Sequence, residues 1–388
     1  MRVTGVRVDA YEYELTRPLG DVNLPRGARR SSELAIRIDT DAGLVGVATA
    51  ATQAAGPIRH LAERVIGTDP RRVRGIYDDL VRAAFKDGPY GALAAGIAAL
   101  DCGLWDLKAK ASGLPLWQEL GAPSNRVPAY ASGLDAPLDD DQLRDFYAGM
   151  RDRYGIGAGK LKVGADSERD HRRLSIMSDA LSAGGRRPVL MIDANEYWNP
   201  KQAIRRIGEL ERDFDLLWVE EPVPRTDLAG LARVSDAVRA SVATGENLTD
   251  PVQFAHLLRN SSADVLQLGV TTTGITASLR IAEMAAAFDV QVAFMNCPGR
   301  YVAHVAAALP NHLMMEVLDA GRDQAFATDI SLVDGHLELG DRAGLGLEFD
   351  DERLAALTPG AGPTLGATYA RSVRAGVDEG QFGSGGLP

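Results

Sequence analysis

Four segments decide the fold: GKLKV (159–163), PVLMIDAN (188–195), LLWVEEP (216–222) and SVATGEN (241–247). Each is a short apolar run typical of a buried strand, and helical patterns lie between them. Four more segments extend the series, namely VPAYAS (127–132), VLQLGV (265–270), VQVAFMN (290–296) and HLMMEVLD (312–319). Eight strands that recur about every 20–30 residues predict an α/β protein with a closed (β/α)8 barrel.

The alternative architecture is an open, doubly wound sheet. Such a sheet usually carries a glycine-rich phosphate loop after its first strand. The sequence contains neither G-x-G-x-x-G nor G-x-x-x-x-G-K-[ST]. The closed barrel is therefore the favoured prediction.

The residues before the barrel predict a separate α+β domain. Strand-like alternation covers 2–15, 33–39 and 44–50, and a loop from Arg17 to Arg30 separates the first two strands. Three helical stretches follow, of which the longest spans 91–112. A small antiparallel sheet followed by helices is typical of an α+β unit.

Composition and charge exclude several classes of function. The chain has 388 residues and a formal net charge of -11, which argues against a nucleic-acid partner because phosphate binding needs clustered positive charge. The sequence has neither a run of 18 apolar residues nor a polybasic patch, so we predict no membrane partner. The N-terminus lacks the apolar core of a signal peptide, and two cysteines are too few for a disulfide framework. The predicted location is the cytoplasm.

Only six of the 42 basic residues are lysines, and codon bias toward arginine explains that ratio. A lysine kept against this bias is a candidate for a task that arginine cannot perform, because lysine can lose its proton. Lys160 and Lys162 stand two apart on one predicted strand and therefore share a face. Repulsion between them should lower the pKa of one, which would make it a general base. The alternative is a strand end with two solvated lysines.

Three carboxylates end the next three predicted strands: Asp193, Glu220 and Glu246. The separations of 27 (220 − 193) and 26 (246 − 220) residues each correspond to one βα unit. Their convergence at the barrel mouth predicts a site for Mg²⁺ first and Mn²⁺ next, although any one of them alone could be a helix cap or a surface charge. A base beside such a cation suits abstraction of a proton next to a carboxylate, which gives an enediolate.

These motifs resemble the enolase superfamily, in the mandelate racemase/muconate lactonizing enzyme group. The similarity covers essentially the whole chain and includes the helix GIAALDCGLWDLKAKASGLPLWQELG (96–121). It implies an α+β capping domain at 1–125, a modified barrel at 126–330 and an essential Mg²⁺. We further predict a C-terminal segment, 331–378, that packs back on both, and a flexible tail at 379–388.

The resemblance also implies roles for individual residues. Lys162 would be the acid/base, Lys160 would tune it, and Glu220 rather than Glu221 would be the metal ligand. Glu316 matches an acidic position that often hydrogen-bonds the substrate carboxylate. The implied substrate-binding residues are Asn195, Glu316 and Asn296, bordered by the loop from Arg17 to Arg30 and by residues around Gln53.

Two positions depart from the family pattern. Met295 stands where mandelate-racemase-like members carry a second base, a histidine, and Gly269 stands where they carry its aspartate partner. No lysine ends the sixth strand, so the base of muconate-enzyme-like members is missing too. Tyr301 and His304 follow the seventh strand, and we interpret His304 as a helix residue away from the site.

A base on only one face of the substrate carbon favours a lyase that dehydrates a hydroxy-carboxylic acid, such as an acid sugar, by syn elimination. The same family allows a racemase, epimerase or cycloisomerase as an alternative. A barrel that binds metal without turnover is the third possibility. The expected partner is a small-molecule carboxylate, and the resemblance implies a homo-oligomer, either a dimer or an octamer.

Overall fold

The computed structural model describes residues 1–182 and 187–357. The predicted tail at 379–388 and the last part of the predicted C-terminal segment, 358–378, lie outside the described residues. In the part of the chain that the structure describes, no helix combines the length and the apolar character that a membrane span requires.

The N-terminal domain begins with a three-stranded antiparallel sheet in the order β1-β2-β3. The strands are β1 (Val3–Leu19), β2 (Ala28–Thr40) and β3 (Val45–Ala51). Helices α1 (Ala55–Val65), α2 (Val73–Ala83), α3 (Gly91–Ser112) and α4 (Leu116–Glu119) follow. Helix α3 is buried along most of its length, and it ends at Gly113, whose φ of 68° suits a residue without a side chain.

Eight parallel strands close into a barrel. In chain order they are β4 (Arg126–Ser132), β5 (Ala158–Lys162), β6 (Val189–Asp193), β7 (Leu216–Glu220), β8 (Ser241–Thr244), β9 (Val265–Leu268), β10 (Gln291–Phe294) and β11 (His312–Val317). Each strand pairs with the next, and β11 pairs with β4, where Glu316 lies opposite Tyr130. The predicted barrel and its N-terminal α+β domain are therefore confirmed.

Helices connect the barrel strands and pack outside them. They are α5 (Asp140–Tyr154), α6 (Ser167–Leu181), α7 (Pro200–Leu210), α8 (Leu228–Ala237), α9 (Pro251–Arg259), α10 (Val270–Ala286) and α11 (Ala303–Ala307). Local sequence starts several of them. Asn199 and Asp250 cap α7 and α9, each followed by proline in the first turn and by a glutamine that completes a capping box.

The barrel interior is apolar at its base and polar above it. A buried cluster fills the base, and its members come from seven strands: Tyr130, Ala158, Met191, Trp218, Ala243, Val265 and Ala293. Tyr130 and Trp218 meet edge to face, with ring centroids 5.3 Å apart. The ionisable side chains of β5, β6 and β7 lie nearer the carboxyl ends of the strands, which is where barrel enzymes place their chemistry.

The chain after β11 packs back on both parts of the molecule. It forms β12 (Phe326–Thr328), β13 (Ser331–Val333), β14 (His336–Glu338), β15 (Leu347–Phe349) and α12 (Asp351–Ala356). Strand β14 extends the barrel sheet by pairing with β4, and the backbone N–H of Leu345 donates to Asp106 in α3. The predicted C-terminal segment, 331–378, includes this part of the chain up to residue 357, and its bounds stay a prediction.

Strand ends are where the structure differs from the sequence-based bounds. The predicted strands at 188–195, 216–222 and 241–247 end at Asp193, Glu220 and Thr244. Backbone hydrogen bonding continues slightly beyond those points, because the Glu221 N–H donates to the Ala243 carbonyl oxygen at 2.9 Å. In the N-terminal domain, β1 and β2 continue pairing as far as Leu19 and Ala28, so the predicted loop shrinks to residues 20–27.

Candidate active site

Strand register brings the predicted base and two predicted metal ligands side by side. Lys162 lies opposite Asp193 in the β5–β6 ladder, and Asp193 lies opposite Glu220 in the β6–β7 ladder. All three residues end their strands and are buried. The alternation of side chains along β5 places Lys160 on the same face as Lys162, one layer deeper.

The two lysines have different partners. Lys160 Nζ lies 2.6 Å from Glu220 Oε2, 3.2 Å from Glu316 Oε1 and 3.4 Å from Asp193 Oδ2. Lys162 Nζ lies 2.6 Å from Asp193 Oδ2. Both lysines are at most 4% exposed. The alternative of two solvated lysines is therefore wrong.

The predicted lowering of a lysine pKa is also wrong for this arrangement. Burial and the charge of Lys160 do oppose the charged form of Lys162. The carboxylate of Asp193, with smaller contributions from Glu246 and Asp21, outweighs them and raises the pKa of Lys162 above its usual value. Burial likewise opposes the charge of Lys160, but its carboxylate neighbours raise its pKa as well.

Negative charge is crowded on the neighbouring strand ends. Loss of water contacts, and then the charges of the other carboxylates, raises the pKa of Glu246 well above its usual value. Burial and the charges of Asp193 and Glu196 raise the pKa of Glu221 to about 8. The positive charge of Lys162 opposes the rise at Glu246, and that of Arg225 opposes it at Glu221, but neither cancels it.

These residues fit a hard divalent cation. Within the described ranges, no group of three acidic, histidine or cysteine side chains is arranged closely enough to hold an ion as it stands. Lysines pair with one oxygen of Asp193 and one of Glu220. Glu220 Oε1 and Asn195 Oδ1 are nevertheless buried and accept no hydrogen bond. All the candidate metal ligands are oxygen atoms, which suits Mg²⁺ or Mn²⁺ once the carboxylates have rotated away from the lysines.

Two site residues have unusual backbone conformations. Asn195 and Glu221 have φ values of 42° and 41°, in the left-handed region that costs a residue with a side chain about 1 kcal/mol or more. The Asn195 N–H donates to Asp193 Oδ1 at 2.9 Å, and the Asn247 side chain donates to Glu221 Oε1 at 2.9 Å. The loops after β6 and β7 are thus folded tightly around the carboxylates.

The predicted substrate-binding pair Glu316 and Asn296 is connected directly. The backbone N–H of Asn296 donates to Glu316 Oε2 at 3.1 Å, and the Asn296 side-chain amide donates to the same oxygen. Arg322 in turn donates to Asn296 Oδ1. Although burial opposes ionisation of Glu316, Lys160, Lys162 and the Asn296 amide lower its pKa to about 2.

The wall formed by β9 and β10 carries no acid or base at the two departing positions. A Cβ at Gly269 would lie 2.7 Å from Met295 Sδ, so these two residues are neighbours. His304 is not part of this wall. Its Nδ1 accepts from the Trp117 N–H at 3.2 Å and its Nε2 lies 3.2 Å from the Leu345 carbonyl oxygen, under the N-terminal domain.

Sequence reasoning missed two groups of residues at the site. Gln267 in β9 donates to Glu220 Oε2 at 3.0 Å and to the Tyr130 hydroxyl at 3.1 Å, and Trp218 donates to Glu220 at 3.2 Å. A glutamine within an otherwise apolar strand was a usable signal. Asp21 in the loop at 20–27 is buried near Lys162, and no pattern in the sequence indicated it.

The loop at 20–27 brings the N-terminal domain to the barrel mouth. The Asn23 side chain donates to the Asn195 carbonyl oxygen at 3.0 Å, and Val22 lies against Gly164 after β5. That this stretch borders the substrate stays a prediction. Arg17, by contrast, lies in β1, where it donates to the carbonyl oxygens of Gly133 and Asp319. Gln53 is exposed.

Comparison with known proteins identifies two matching families along the chain. Residues 13–121 match the mandelate racemase / muconate lactonizing enzyme N-terminal domain, and residues 142–353 match the enolase C-terminal domain-like family. The first range lies within the N-terminal α+β domain, and the second covers the barrel strands β5 to β11 together with β12 to β15.

Individual relatives cover nearly the whole chain. It is 31% identical to L-talarate/galactarate dehydratase of Salmonella typhimurium over 90% of each chain. It is also 31% identical to 3,6-anhydro-alpha-L-galactonate cycloisomerase of Streptomyces coelicolor, over 92% of this chain and 99% of that one. The crystal structure of L-talarate dehydratase from a Polaromonas species, complexed with Mg and L-glucarate, superimposes with a TM-score of 0.83 at 30% identity, over 92% of this chain and 98% of that one. The chain belongs to the mandelate racemase/muconate lactonizing enzyme group of the enolase superfamily.

Proposed function

We propose that this protein is a Mg²⁺-dependent dehydratase of a hydroxy-carboxylic acid, and that its substrate is an acid sugar. One observation carries the proposal. A buried lysine, Lys162, lies among carboxylates on one side of the barrel mouth, while Met295 and Gly269 on another wall have no titratable group. Abstraction and return of a proton then fall to a single residue, which suits elimination better than inversion.

The proposed metal ligands are Asp193, Glu220 and Glu246, with Mg²⁺ preferred and Mn²⁺ possible. The crowded carboxylates and the unpartnered Glu220 Oε1 support this assignment. The structure of the Polaromonas relative holds Mg together with L-glucarate, which supports it further. When bound, the cation supplies the positive charge that stabilises the two oxygens of an enediolate.

The side chains of this chain divide the remaining work. Lys162, in its unprotonated form, takes the proton from the carbon next to the substrate carboxylate. Lys160 stays charged among Glu220, Glu316 and Asp193, and balances part of their charge. Asn195, Asn296 and Glu316 are the proposed substrate-binding residues.

Elimination balances with no further reactant. The C–H electron pair first moves into the enediolate, and its return expels the hydroxyl group from the neighbouring carbon. Lys162, now protonated, donates its proton to that hydroxyl, which departs as water on the same face. The enol that remains converts to a 2-keto-3-deoxy acid, so substrate and product differ by one water molecule.

Isotope exchange tests the assignment of the base. Galactarate, talarate, glucarate and galactonate are incubated in D₂O with Mg²⁺, and deuterium at the α-carbon and formation of 2-keto acid are followed. We expect Lys162→Ala to lower both by at least about 10²-fold, as loss of a general base does. Lys201→Ala, an exposed lysine on α7, is the matched control and should retain the wild-type rates. If Lys162→Ala exchanges as fast as the wild type, the assignment is wrong.

A cycloisomerase is the second candidate function. The 31% identity to the anhydrogalactonate cycloisomerase favours it, and a base on one face also supports elimination that opens a ring. Product analysis separates the two, because a cycloisomerase product keeps the mass of its substrate. Racemisation or epimerisation would instead give inverted product, which the wall at Met295 and Gly269 does not favour. Conversion of any acid would rule out the third possibility, a barrel that binds metal without turnover.

The predicted cytoplasmic location and the predicted homo-oligomer, dimer or octamer, complete the proposal. Both stay predictions. Light scattering coupled to gel filtration distinguishes the two oligomers, because their masses differ fourfold.

A further inference from the structure

A chain of hydrogen bonds runs from the N-terminal sheet to the active-site wall. Glu33 in β2 accepts from Tyr11 at 2.9 Å and from Tyr13 at 2.8 Å, both on the neighbouring strand β1. Arg322, in the segment after β11, donates to Glu33 Oε1 at 2.8 Å and also to Asn296 Oδ1. We call Glu33 and Arg322 the brace.

The brace is a buried ion pair, so its two members depend on each other. The side chains of Glu33 and Arg322 are 6% and 19% exposed. Burial opposes the charge of Arg322, but Glu33 and Tyr13 outweigh it and raise its pKa. Removing one partner would leave an uncompensated buried charge, which is costly. The segment after β11 is therefore tied to the N-terminal sheet.

The hydrogen bond from Arg322 also fixes the orientation of the Asn296 side-chain amide. An arginine offers only donors, so the amide oxygen must face it and the NH₂ group must face away. The NH₂ group then donates to Glu316 Oε2, which also accepts the Asn296 backbone N–H at 3.1 Å. With Oε2 held in this way, Oε1 is left for Lys160 at 3.2 Å.

Arg322 is poorly suited to bind the substrate itself. Its guanidinium donates to Glu33 and Asn296, and its Nε lies 3.5 Å from the Tyr13 hydroxyl. Its charge is matched by Glu33. An anionic substrate would have to displace these partners, whereas Asn296 and Glu316 already lie at the carboxyl ends of barrel strands.

We propose that Glu33 and Arg322 are positioning residues, which fix the Asn296 amide and, through it, Glu316, so that docking of the N-terminal domain sets the geometry of the substrate-binding wall. The catalytic part of this inference rests on the proposed function. Its structural part, the ordering of Asn296 by Glu33, does not.

The principal variant is Glu33→Gln, which keeps the shape of the side chain and removes its charge. The matched control is Asp78→Asn. Asp78 on α2 pairs with Arg280 on α10 at 2.8 Å, so this control breaks another ion pair between the N-terminal domain and the barrel without touching the brace.

The first measurement is hydrogen–deuterium exchange of a peptide containing Asn296, which requires no turnover. We expect Glu33→Gln to raise exchange of the Asn296 N–H by at least about tenfold, because its acceptor Glu316 is no longer held. Asp78→Asn should leave it unchanged. Equal exchange in wild type and Glu33→Gln would overturn the structural part, whatever reaction the enzyme performs.

The second measurement is kinetic, with whichever acid of the panel above is turned over fastest. We expect Glu33→Gln to lower kcat/KM by at least about tenfold, a usual penalty for a misplaced binding group. The Kd for Mg²⁺ alone should change less than about threefold, because the brace touches none of the proposed metal ligands. Glu33→Gln with wild-type kcat/KM would overturn the catalytic part, while absence of turnover in the wild type would overturn the proposed function instead.

A double variant separates positioning from general loss of structure. If the brace acts as a unit, Arg322→Met combined with Glu33→Gln should lose no more activity than the worse single variant. Additive losses would contradict a shared role. Should Glu33→Gln fail to fold, Tyr13→Phe removes one donor to Glu33 and is expected to show the same exchange effect, reduced to about threefold. Wild-type exchange in Tyr13→Phe would then count against the brace.

Discussion

Lys160 and Lys162 stand two residues apart, yet their surroundings suit them to different tasks. Lys160 has three carboxylates within 3.4 Å and lies deeper in the barrel. Lys162 has one such carboxylate, Asp193, at 2.6 Å. A cation that binds Asp193 competes for that carboxylate, so it removes the main interaction that keeps Lys162 protonated. Lys160 would still keep Glu316, which supports a tuning role for it.

His304 illustrates how a residue outside the site shapes the pH dependence of stability. Its Nδ1 accepts a backbone N–H, so a second proton there would meet a donor. Burial lowers its pKa from 6.5 to about 4. The unfolded chain therefore binds a proton below pH 6.5 that the folded chain refuses until about pH 4. Stability falls as the pH drops through this window.

We expect His304→Gln to reduce that loss. Relative to wild type, the decline in unfolding free energy between pH 7 and pH 4 should be smaller by about 2–3 kcal/mol, the equivalent of the pKa shift. Urea unfolding at several pH values measures it. His60→Gln, an exposed histidine on α1, is the control and should follow the wild-type curve. Parallel curves for His304→Gln and wild type would contradict the neutral, buried state.

At the scale of elements, helix α10 has a break in its first turns, and a residue of helix α3 caps the regular part that follows. Gly274 has φ 73° and ψ 178°, so the regular helix starts only after it. Asp101 of α3 accepts the Thr276 backbone N–H at 2.7 Å and its hydroxyl at 2.6 Å. A residue 175 positions away thus caps the helix that follows β9. Burial raises the pKa of Asp101 to about 7, although these hydrogen bonds oppose the rise.

Asp101→Ala should therefore destabilise the protein more than loss of an ordinary cap. We expect the free energy of unfolding to fall by about 2–3 kcal/mol, because buried donors of Thr276 are left without a partner. Asp166→Ala removes the exposed cap of α6 and should cost only about 1 kcal/mol. Chemical denaturation compares the two. A smaller loss for Asp101→Ala than for Asp166→Ala would refute the capping role.

The same elements show what the sequence could and could not predict. Strands such as β5 and β7 were predictable because short apolar runs recur with the βα period, and α3 was predictable because an alanine-rich pattern ends at a glycine. The families confirm that fold. The brace was not predictable, because Glu33 and Arg322 are 289 residues apart and nothing local in either segment indicates the other.

The site itself follows the same division. Lys162, Asp193 and Glu220 could be placed together, since parallel strands in register bring their ends to one edge. The charge states of these residues could not be predicted, because they depend on which carboxylates lie within a few ångströms. That is why the sequence predicted a lowered lysine pKa and the structure shows raised ones.

For the whole molecule, the concentration of carboxylates at the barrel mouth implies that metal binding stabilises the fold. A ligand at 100 times its Kd adds about 2.7 kcal/mol to the unfolding free energy. We expect Mg²⁺ to raise stability by this amount and EDTA to reverse it. Glu220→Gln should abolish the effect, whereas Glu283→Gln, an exposed carboxylate on α10, should preserve it. Equal stabilisation of both variants by Mg²⁺ would place the metal elsewhere.

The loop at 20–27 has a consequence for how this protein can change over generations. The proposed reacting groups belong to residues 160–316, whereas Asp21 and Asn23 belong to a separate stretch of eight codons. On the predicted substrate border, mutation of this stretch at positions other than Asp21, whose charge acts on Lys162, would alter which molecule is accepted and leave the proposed chemistry intact. The proposed reaction and the preference for a particular substrate can therefore change independently of each other during evolution.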